Sequence, residues 1–378
     1  MAEGEAELEK AVRESENAAD ETGEDVTVID PIRIQMLFGD KIYLSQTKIS
    51  TFAGCPYKYW CRYVLELREK QVSSVSYNNS GTIVHYVLEK FIAEVKDTDG
   101  SLNIPEDDRV VELVNGYVDE YVRRIGCPLT PSMMYTFSRL RDLALIMVKS
   151  VIDEFSDSRF KVLSQEMRIS ERAEGALKPL EIKVNEGDED SPKVILGGII
   201  DRVDYYDGDD RRYLRVVDYK TGSHPFSLEG IETGEDVQLP AYLFTAVLDE
   251  NRPVIGGEME IFPASALFLS ANESGGKVSP ERSGFILDDI DVLRAASGEL
   301  DKSILAGIVV DKGTGEVTKG NAVSEEEIKK IDTDLRRSIA ETGRSIFAGN
   351  APRTPSPSAC KYCFLRSTCP VASKKSGF

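Results

Sequence analysis

LGGIIDRVDYYDGDDRRYLRVVDYKTG, residues 196–222, holds two apolar runs that each end in an acid, Ile199-Ile200-Asp201 and Val216-Val217-Asp218. Runs of this kind joined by a polar turn, Asp207–Arg211, read as two paired strands. Successive strand side chains point to opposite faces, so residues i and i+2 share one. Asp218 and Lys220 therefore project together, and Tyr219 turns away. If the two runs pair, Asp201 comes beside Asp218. Carboxylates so placed repel unless a divalent cation lies between them, and oxygen-rich coordination suits Mg²⁺ or Mn²⁺. A lysine beside that ion can orient water or stabilise charge developing on phosphorus, which points to phosphodiester hydrolysis. The competing reading is a surface hairpin with alternating charges, because a lone D-x-K triplet is common.

The rest of the chain supplies layers for such a hairpin. Phe160–Ile169, Leu180–Val184, Lys193–Tyr206, Tyr213–Tyr219 and Ile255–Leu269 have strand character. Helical spacing recurs in Gly81–Val95, where Ile83, Val84, Val87, Leu88 and Phe91 form one face. It also marks Gln46–Leu67 after Ser45, Asp108–Ile125, Ser132–Phe155, Val237–Leu248, Asp288–Leu305 and Ser324–Phe347. This order predicts an α/β core with a mixed central sheet flanked by helices and a helical insertion at about 97–157. Residues 41–378 are expected to form one domain. Residues 1–40 read as an acidic flexible leader or the remnant of an upstream domain.

With 378 residues, 41% of them hydrophobic, the chain can bury a large core. Collagen-like, coiled-coil and wholly disordered classes are excluded. The formal charge is −19, of which residues 1–30 contribute −9 through 11 acids against Lys10 and Arg13. Bulk electrostatics thus oppose nucleic-acid binding, so a site for it needs metal ions, local Lys or Arg, or a partner. Runs such as Val194–Ile200 are too short to span a bilayer, and the acidic N-terminus lacks an apolar signal core. A cytoplasmic protein with no membrane partner is expected, and six cysteines there point to metal or redox chemistry. No G-x-x-x-x-G-K-[ST] loop occurs, so no ATP motor is evident.

Gly197-Gly198-Ile199-Ile200-Asp201, Asp218-Tyr219-Lys220-Thr221-Gly222 and Gln238-Leu239-Pro240-Ala241-Tyr242 together resemble the RecB-type PD-(D/E)XK nucleases. Gly81-Thr82-Ile83-Val84-His85 resembles that family's G-x-x-x-H helix. The resemblance implies a restriction-endonuclease-like core. It also implies Mg²⁺ (or Mn²⁺) held by His85, Asp201 and Asp218, with the Tyr219 carbonyl as a possible fourth ligand. Lys220 would be the catalytic base or electrostatic stabiliser, and Gln238 and Tyr242 supporting contacts to site and DNA. Glu89, one turn after His85, serves the site at most indirectly or lies solvated, and Glu166, ahead of the hairpin, is either another acid near the metal or a solvent-facing strand glutamate.

Cys360-x2-Cys363-x5-Cys369-Pro370 offers three thiolates, and a tetrahedral or cubane centre needs four. Cys55-Pro56-Tyr57 resembles the upstream element of AddB-type helicase–nuclease subunits and of related CRISPR adaptation nucleases. That resemblance implies a [4Fe–4S] cluster on Cys55, Cys360, Cys363 and Cys369; structural zinc is the competing reading. Such a staple would close a loop of about 300 residues, worth roughly 5 kcal/mol of closure entropy before constants. It would also bring Lys361 and Arg366 near DNA. Cys61 and Cys127 are expected to be packing residues.

The resemblance further implies a deoxyribonuclease acting on single-stranded DNA or unwound ends, fed by an AddA-like helicase–nuclease subunit during end resection and recombination repair. The alternatives are a stand-alone RecB-family or CRISPR-associated exonuclease, a nonhydrolytic DNA-binding scaffold in which the site is vestigial, and a redox-sensing switch.

Overall fold

The computed structural model describes residues 28–67, 78–126, 130–256, 259–274, 277–298, 309–310, 317–356, 359–361 and 363–371. Most of the acidic leader and Cys127 lie outside these residues.

The apolar runs pair as the alternation demands. Strands β2 (Lys161–Ile169), β5 (Gly198–Asp207), β6 (Arg211–Lys220), β7 (Glu260–Ser274) and β8 (Lys277–Leu287) follow one another across a six-stranded sheet completed by Ala322–Val323 beside β8. The sheet is mixed: β2/β5, β5/β6 and β7/β8 are antiparallel, whereas β6/β7 is parallel. A second, three-stranded sheet sets β4 (Lys193–Leu196) between β1 (Lys41–Leu44) and β3 (Glu181–Lys183). The long run expected at Lys193–Tyr206 is therefore two strands in two sheets. The chain changes sheets at Gly197, between β4 and β5.

Helices cover both faces, and each face has its own core. On one side α2 (Asn78–Val95), α3 (Asp107–Ile125) and α4 (Pro131–Asp157) pack Ile83, Val87, Val114 and Met147 against Val217 and Tyr219 of β6. On the other, α1 (Gln46–Gly54), α5 (Gln238–Ala246) and α6 (Glu325–Phe347) pack against Val216, Ile200 and Phe268. The alternation of Val216 and Val217 between the two cores is the period-2 signature of a strand buried on both faces. Local rules set the ends: Ser45 and Thr130 cap α1 and α4, and Ser324 forms a capping box with Glu327 at α6.

Two expectations are corrected. The helix expected over Gln46–Leu67 breaks at Cys55, which is extended (φ −169°, ψ 109°), before a short helix Pro56–Tyr59 and a π turn Trp60–Val64. Proline has no N–H and its ring disfavours helical geometry in the residue before it, so Pro56 forces the break. The strand expected from Ile255 starts at Glu260, after a helical turn Arg252–Ile255 ended by Gly256 at positive φ. Of Asp288–Leu305, the described residues form a helix over Ile290–Ala296.

The helical insertion is joined to the sheet by buried charge. Glu154 of α4, 1% exposed, lies 2.8 Å from Arg202 of β5, 2.8 Å from Arg215 of β6 and 3.1 Å from Arg282 of β8. Asp204 closes the group against Arg202 and Arg215. Burial opposes the Glu154 charge, but the three guanidinium groups outweigh it and hold the carboxyl well below the usual range. Removing one partner from such a group strands the others without compensation. Glu154→Gln should therefore lower unfolding stability by about 3–5 kcal/mol in a urea titration. Glu120→Gln, which breaks an exposed pair with Arg124, should cost less than about 1 kcal/mol. Equal, small losses would show that the arginines are solvated rather than dependent on Glu154.

Candidate active site

The hairpin register sets the geometry. The β5/β6 ladder pairs Arg202 with Val217, so Asp201 lies across from Asp218 at its end. Tyr219 donates its backbone N–H to Asp201 Oδ2 at 2.7 Å. His85, brought by α2, has Nδ1 3.3 Å from Asp201 Oδ1 and Nε2 2.8 Å from the Tyr219 carbonyl. Asp218 and Lys220 share a face and form an ion pair. Gln238, the first residue of α5, accepts from Lys220 Nζ at 3.0 Å and donates to Asp218 Oδ1 at 2.8 Å. Its amide also lies 3.4 Å from the Tyr242 hydroxyl, one turn on. His85 comes from one helical layer and Gln238 from the other, so the group forms where both layers meet the ends of β5 and β6. Gly198 makes room for this: a Cβ there would come 3.0 Å from Gln46 Oε1 and 3.2 Å from the Tyr242 ring.

Glu166 belongs to the group more directly than its place in the sequence suggested. It sits opposite Asp201, between the Gln165–Arg202 and Met167–Ile200 pairs, and one donor atom each from His85, Glu166 and Asp201 lie within 4.8 Å of one another. Its φ is +47°, which only a few per cent of non-glycine residues adopt. Such strain, of order 1–3 kcal/mol, collects where geometry is functional. Sequence shows nothing of a φ value, and a strand glutamate is ordinarily solvated. Glu89 stays at the margin, adding only a weak upward push on Glu166.

The electrostatics are those of a site short of positive charge. Burial and then the Asp201 carboxylate push Asp218 up to about 6. Half-burial and Asp201 push Glu166 up to about 7. Burial pulls His85 down, yet its bond to Asp201, the charges of Asp201 and Asp218 and the Tyr219 carbonyl outweigh it and raise it overall. Asp218 Oδ2 is buried with no hydrogen bond of proper geometry. An imidazole nitrogen and converging carboxylates, with Asp218 Oδ2 paired to Lys220, make a donor set that suits a hard divalent cation. Among neighbours that the motifs did not flag, His224 packs edge-on against Phe268, and burial followed by the Lys220 charge pushes it down to about 4.

Arg202 ties this group to the buried charge cluster through the Tyr219 hydroxyl at 3.3 Å. Tyr219 thus holds Asp201 with its N–H, His85 with its carbonyl and the cluster with its side chain. In the sequence, Arg202, Arg215 and Glu154 look like ordinary strand and helix charges.

The four cysteines also converge. Cys55, Cys360, Cys363 and Cys369 line one pocket with Tyr57, Arg353 and Leu365. Backbone bonds knit its two halves: Ser356 N–H to Gly54 O at 2.8 Å and Tyr57 N–H to Pro352 O at 3.2 Å. Trp60 Nε1 adds a 2.8 Å bond to Asn350 O. Burial raises Cys55, and the nearby Cys363 and Cys369 add to the rise. Cys61 is buried beside the pocket without lining it. Among the described residues no three of these sulfurs lie within 4.8 Å of one another.

The family model described as the PD-(D/E)XK nuclease superfamily matches residues 43–370. The chain is similar to an ATP-dependent helicase/deoxyribonuclease subunit from Clostridium acetobutylicum, 24% identical over 88% of the chain and 30% of that protein. The proteins of the same name from Acetivibrio thermocellus and Symbiobacterium thermophilum are each 27% identical over 89% of the chain, and 31% and 30% of their own length. The chain thus spans about 30% of the length of these relatives.

A raised carboxyl value favours the protonated form in the fold. Glu166 therefore supports the metal-free fold below the unfolded value of about 4.3, and that support is lost as pH rises through about 7. Glu166→Gln should raise the melting midpoint in chelator by a few degrees at pH 8 and leave it unchanged at pH 4. The same variant should weaken Mg²⁺ binding by calorimetry at least the ~10-fold that loss of a supporting contact costs. Unchanged Mg²⁺ affinity would remove Glu166 from the donor set.

Proposed function

Because the chain belongs to the PD-(D/E)XK nuclease superfamily, we propose that it is a Mg²⁺-dependent deoxyribonuclease that hydrolyses phosphodiester bonds of single-stranded DNA. The observation that carries this is the continuous string of contacts from His85 through Asp201, Tyr219, Asp218 and Lys220 to Gln238. His85, Asp201 and Asp218 would hold the cation, with Glu166 and the Tyr219 carbonyl beside them. When bound, the cation supplies Lewis acidity at the phosphoryl oxygens and lowers the pKa of water.

The chain's own groups do the rest. Asp201 and Asp218 are held apart by separate partners, the Tyr219 N–H and the Gln238 amide, so neither collapses onto the other. Lys220 is held by the Gln238 carbonyl and Asp218, from where its ammonium can stabilise a pentacovalent phosphate oxyanion. His85 keeps its orientation through the Tyr219 carbonyl. Tyr242 braces Gln238 from one turn below.

Helicase-coupled processing of broken DNA ends is the setting that the relatives' names support, with an AddA-like motor protein delivering the strand. The chain's charge of −19 supports the same setting, because delivery by a motor replaces affinity for free DNA. For the cysteine pocket we propose a [4Fe–4S] cluster, supported by four thiols that line one pocket. Among the described residues no helix is long and apolar enough to cross a membrane; the cytoplasm is the proposed location.

Wild type should cleave labelled single strands with Mg²⁺ and not with chelator. Asp218→Ala and Lys220→Ala should each lose at least about 10²–10³ in rate. Equal background cleavage by all three proteins would leave a DNA-binding scaffold as the reading that stands. Separately, protein purified without oxygen should be brown and contain iron and sulfide in equal amounts, and Cys360→Ala should lose both. Stoichiometric zinc in colourless wild type would overturn the cluster.

A further inference from the structure

At Gly197, where the chain leaves one sheet for the other, a pocket of about 320 Å³ opens four residues before Asp201. That volume lies within the range of small-molecule sites. Tyr43 of β1 and Arg172, from the loop after β2, stand at its sides with Pro179 and Ile195. Tyr43 is 51% exposed, yet its ring is fixed, because its hydroxyl donates to Glu171 at 2.7 Å. The floor is bare backbone: a Cβ on Gly197 would meet only the Ile169 carbonyl, at 3.9 Å. The position's φ is not in the left-handed range, so the glycine is not required by backbone conformation. A glycine without that need, at the base of a pocket, fits close approach of a flat ligand to the backbone.

Two further features say what that ligand is. From Gly197, strand β5 runs directly to Asp201, about 13 Å away at 3.3 Å per residue. Ile199, on the same strand face as Asp201 and two residues before it, is 42% exposed, so an apolar side chain lies between pocket and site. Cations also flank the pocket: Arg172 is exposed, and Lys48 Nζ lies 3.5 Å from the Tyr43 carbonyl. A fixed aromatic face, an exposed apolar side chain and flanking cations are the parts of a single-strand binding groove.

We propose that this pocket is a nucleobase subsite. It takes one unpaired base of the DNA strand whose backbone crosses Asp201 and Asp218, stacked on Tyr43 over the bare Gly197 floor, with Arg172 against the adjoining phosphate. The proposal rests on the nuclease reading and adds to it a fixed register of the strand relative to the scissile bond. Any base fits, since every base has a flat face, so the subsite grips without reading sequence.

The test is an abasic scan. Single-stranded oligonucleotides carry one abasic residue at successive positions, and full-chain wild type, Tyr43→Ala and Gly197→Val are compared. Cleavage is followed with Mg²⁺, and binding by fluorescence anisotropy in chelator. For wild type, an abasic residue at one fixed distance from the cut should raise KM at least fivefold with kcat nearly unchanged, the lower end of the loss of one base stack. Both variants should show that higher KM on intact DNA and no further penalty at that position. Tyr43→Ala removes the stacking face, and Gly197→Val fills the floor, so agreement between them excludes a defect peculiar to either. A wild type without a sensitive position, or variants that keep one, overturns the subsite. If wild type cleaves nothing, the nuclease reading fails alone. The same position dependence is then sought in anisotropy, and its absence there overturns the subsite as well.

Discussion

One carboxylate holds the two halves of this molecule in register. Glu154 stands on a helix of the insertion and faces arginines from three strands, of which Arg202 and Arg215 are fully buried. A buried ionic group of this kind adds little net stability over an apolar one, because desolvation consumes most of the Coulombic gain. What it does impose is geometry: guanidinium forks accept carboxylates in few orientations. Through Arg202 that geometry reaches the Tyr219 hydroxyl, and Tyr219 is the residue whose backbone N–H and carbonyl meet Asp201 and His85. The hairpin of the candidate site is thus fixed from beneath by charge and from the sides by two hydrophobic cores.

The site above this foundation is built under electrostatic tension. Glu166, Asp201 and Asp218 crowd one end of the sheet, with His85 and Lys220 as the nearby cations. Raised values at Asp218 and Glu166 are the expected response of like charges brought together in a partly dry place. A divalent cation relieves this tension and protons relieve it less well, so the same arrangement that destabilises the metal-free site favours metal binding. The positive φ of Glu166 adds backbone strain to the same spot.

The hairpin and its D-x-K triplet were legible because period-2 alternation decides which side chains share a face. His85 and Gln238 were legible only by resemblance, since a lone helix histidine or glutamine has no signature in spacing. Other features were hidden for physical reasons. A buried arginine and a solvated one are the same letter, so Arg202 and Arg215 passed as ordinary strand charges. Nothing in Lys193–Tyr206 marks a change of sheet except a glycine pair, which the motif itself explains. The break at Cys55 was readable, because Pro56 cannot continue a helix, but the aromatic periodicity of residues 57–67 concealed it. Glu166 was visible only as an acid ahead of the hairpin, because a strand glutamate at the site and a solvated one look alike and its backbone angle has no sequence signature.

The cysteine pocket completes the logic of the fold from its periphery. Cys55 follows α1, whose Gln46 packs beside Gly198, and the other three thiols follow α6, which lies against α5. The chain between them contains every residue of the candidate site. Joining its ends restricts the unfolded chain over nearly the whole domain, and the benefit grows only with the logarithm of loop length. A short staple near the site would therefore have given almost as much entropy. A centre bound to all four thiols would give something different: it would fix α1 relative to α6, and with them the floor under Gly198 and the helix that carries Gln238. On this view the thiols and the Glu154 cluster divide one task, the first clamping the helical layer on the Gln238 side and the second the layer on the His85 side.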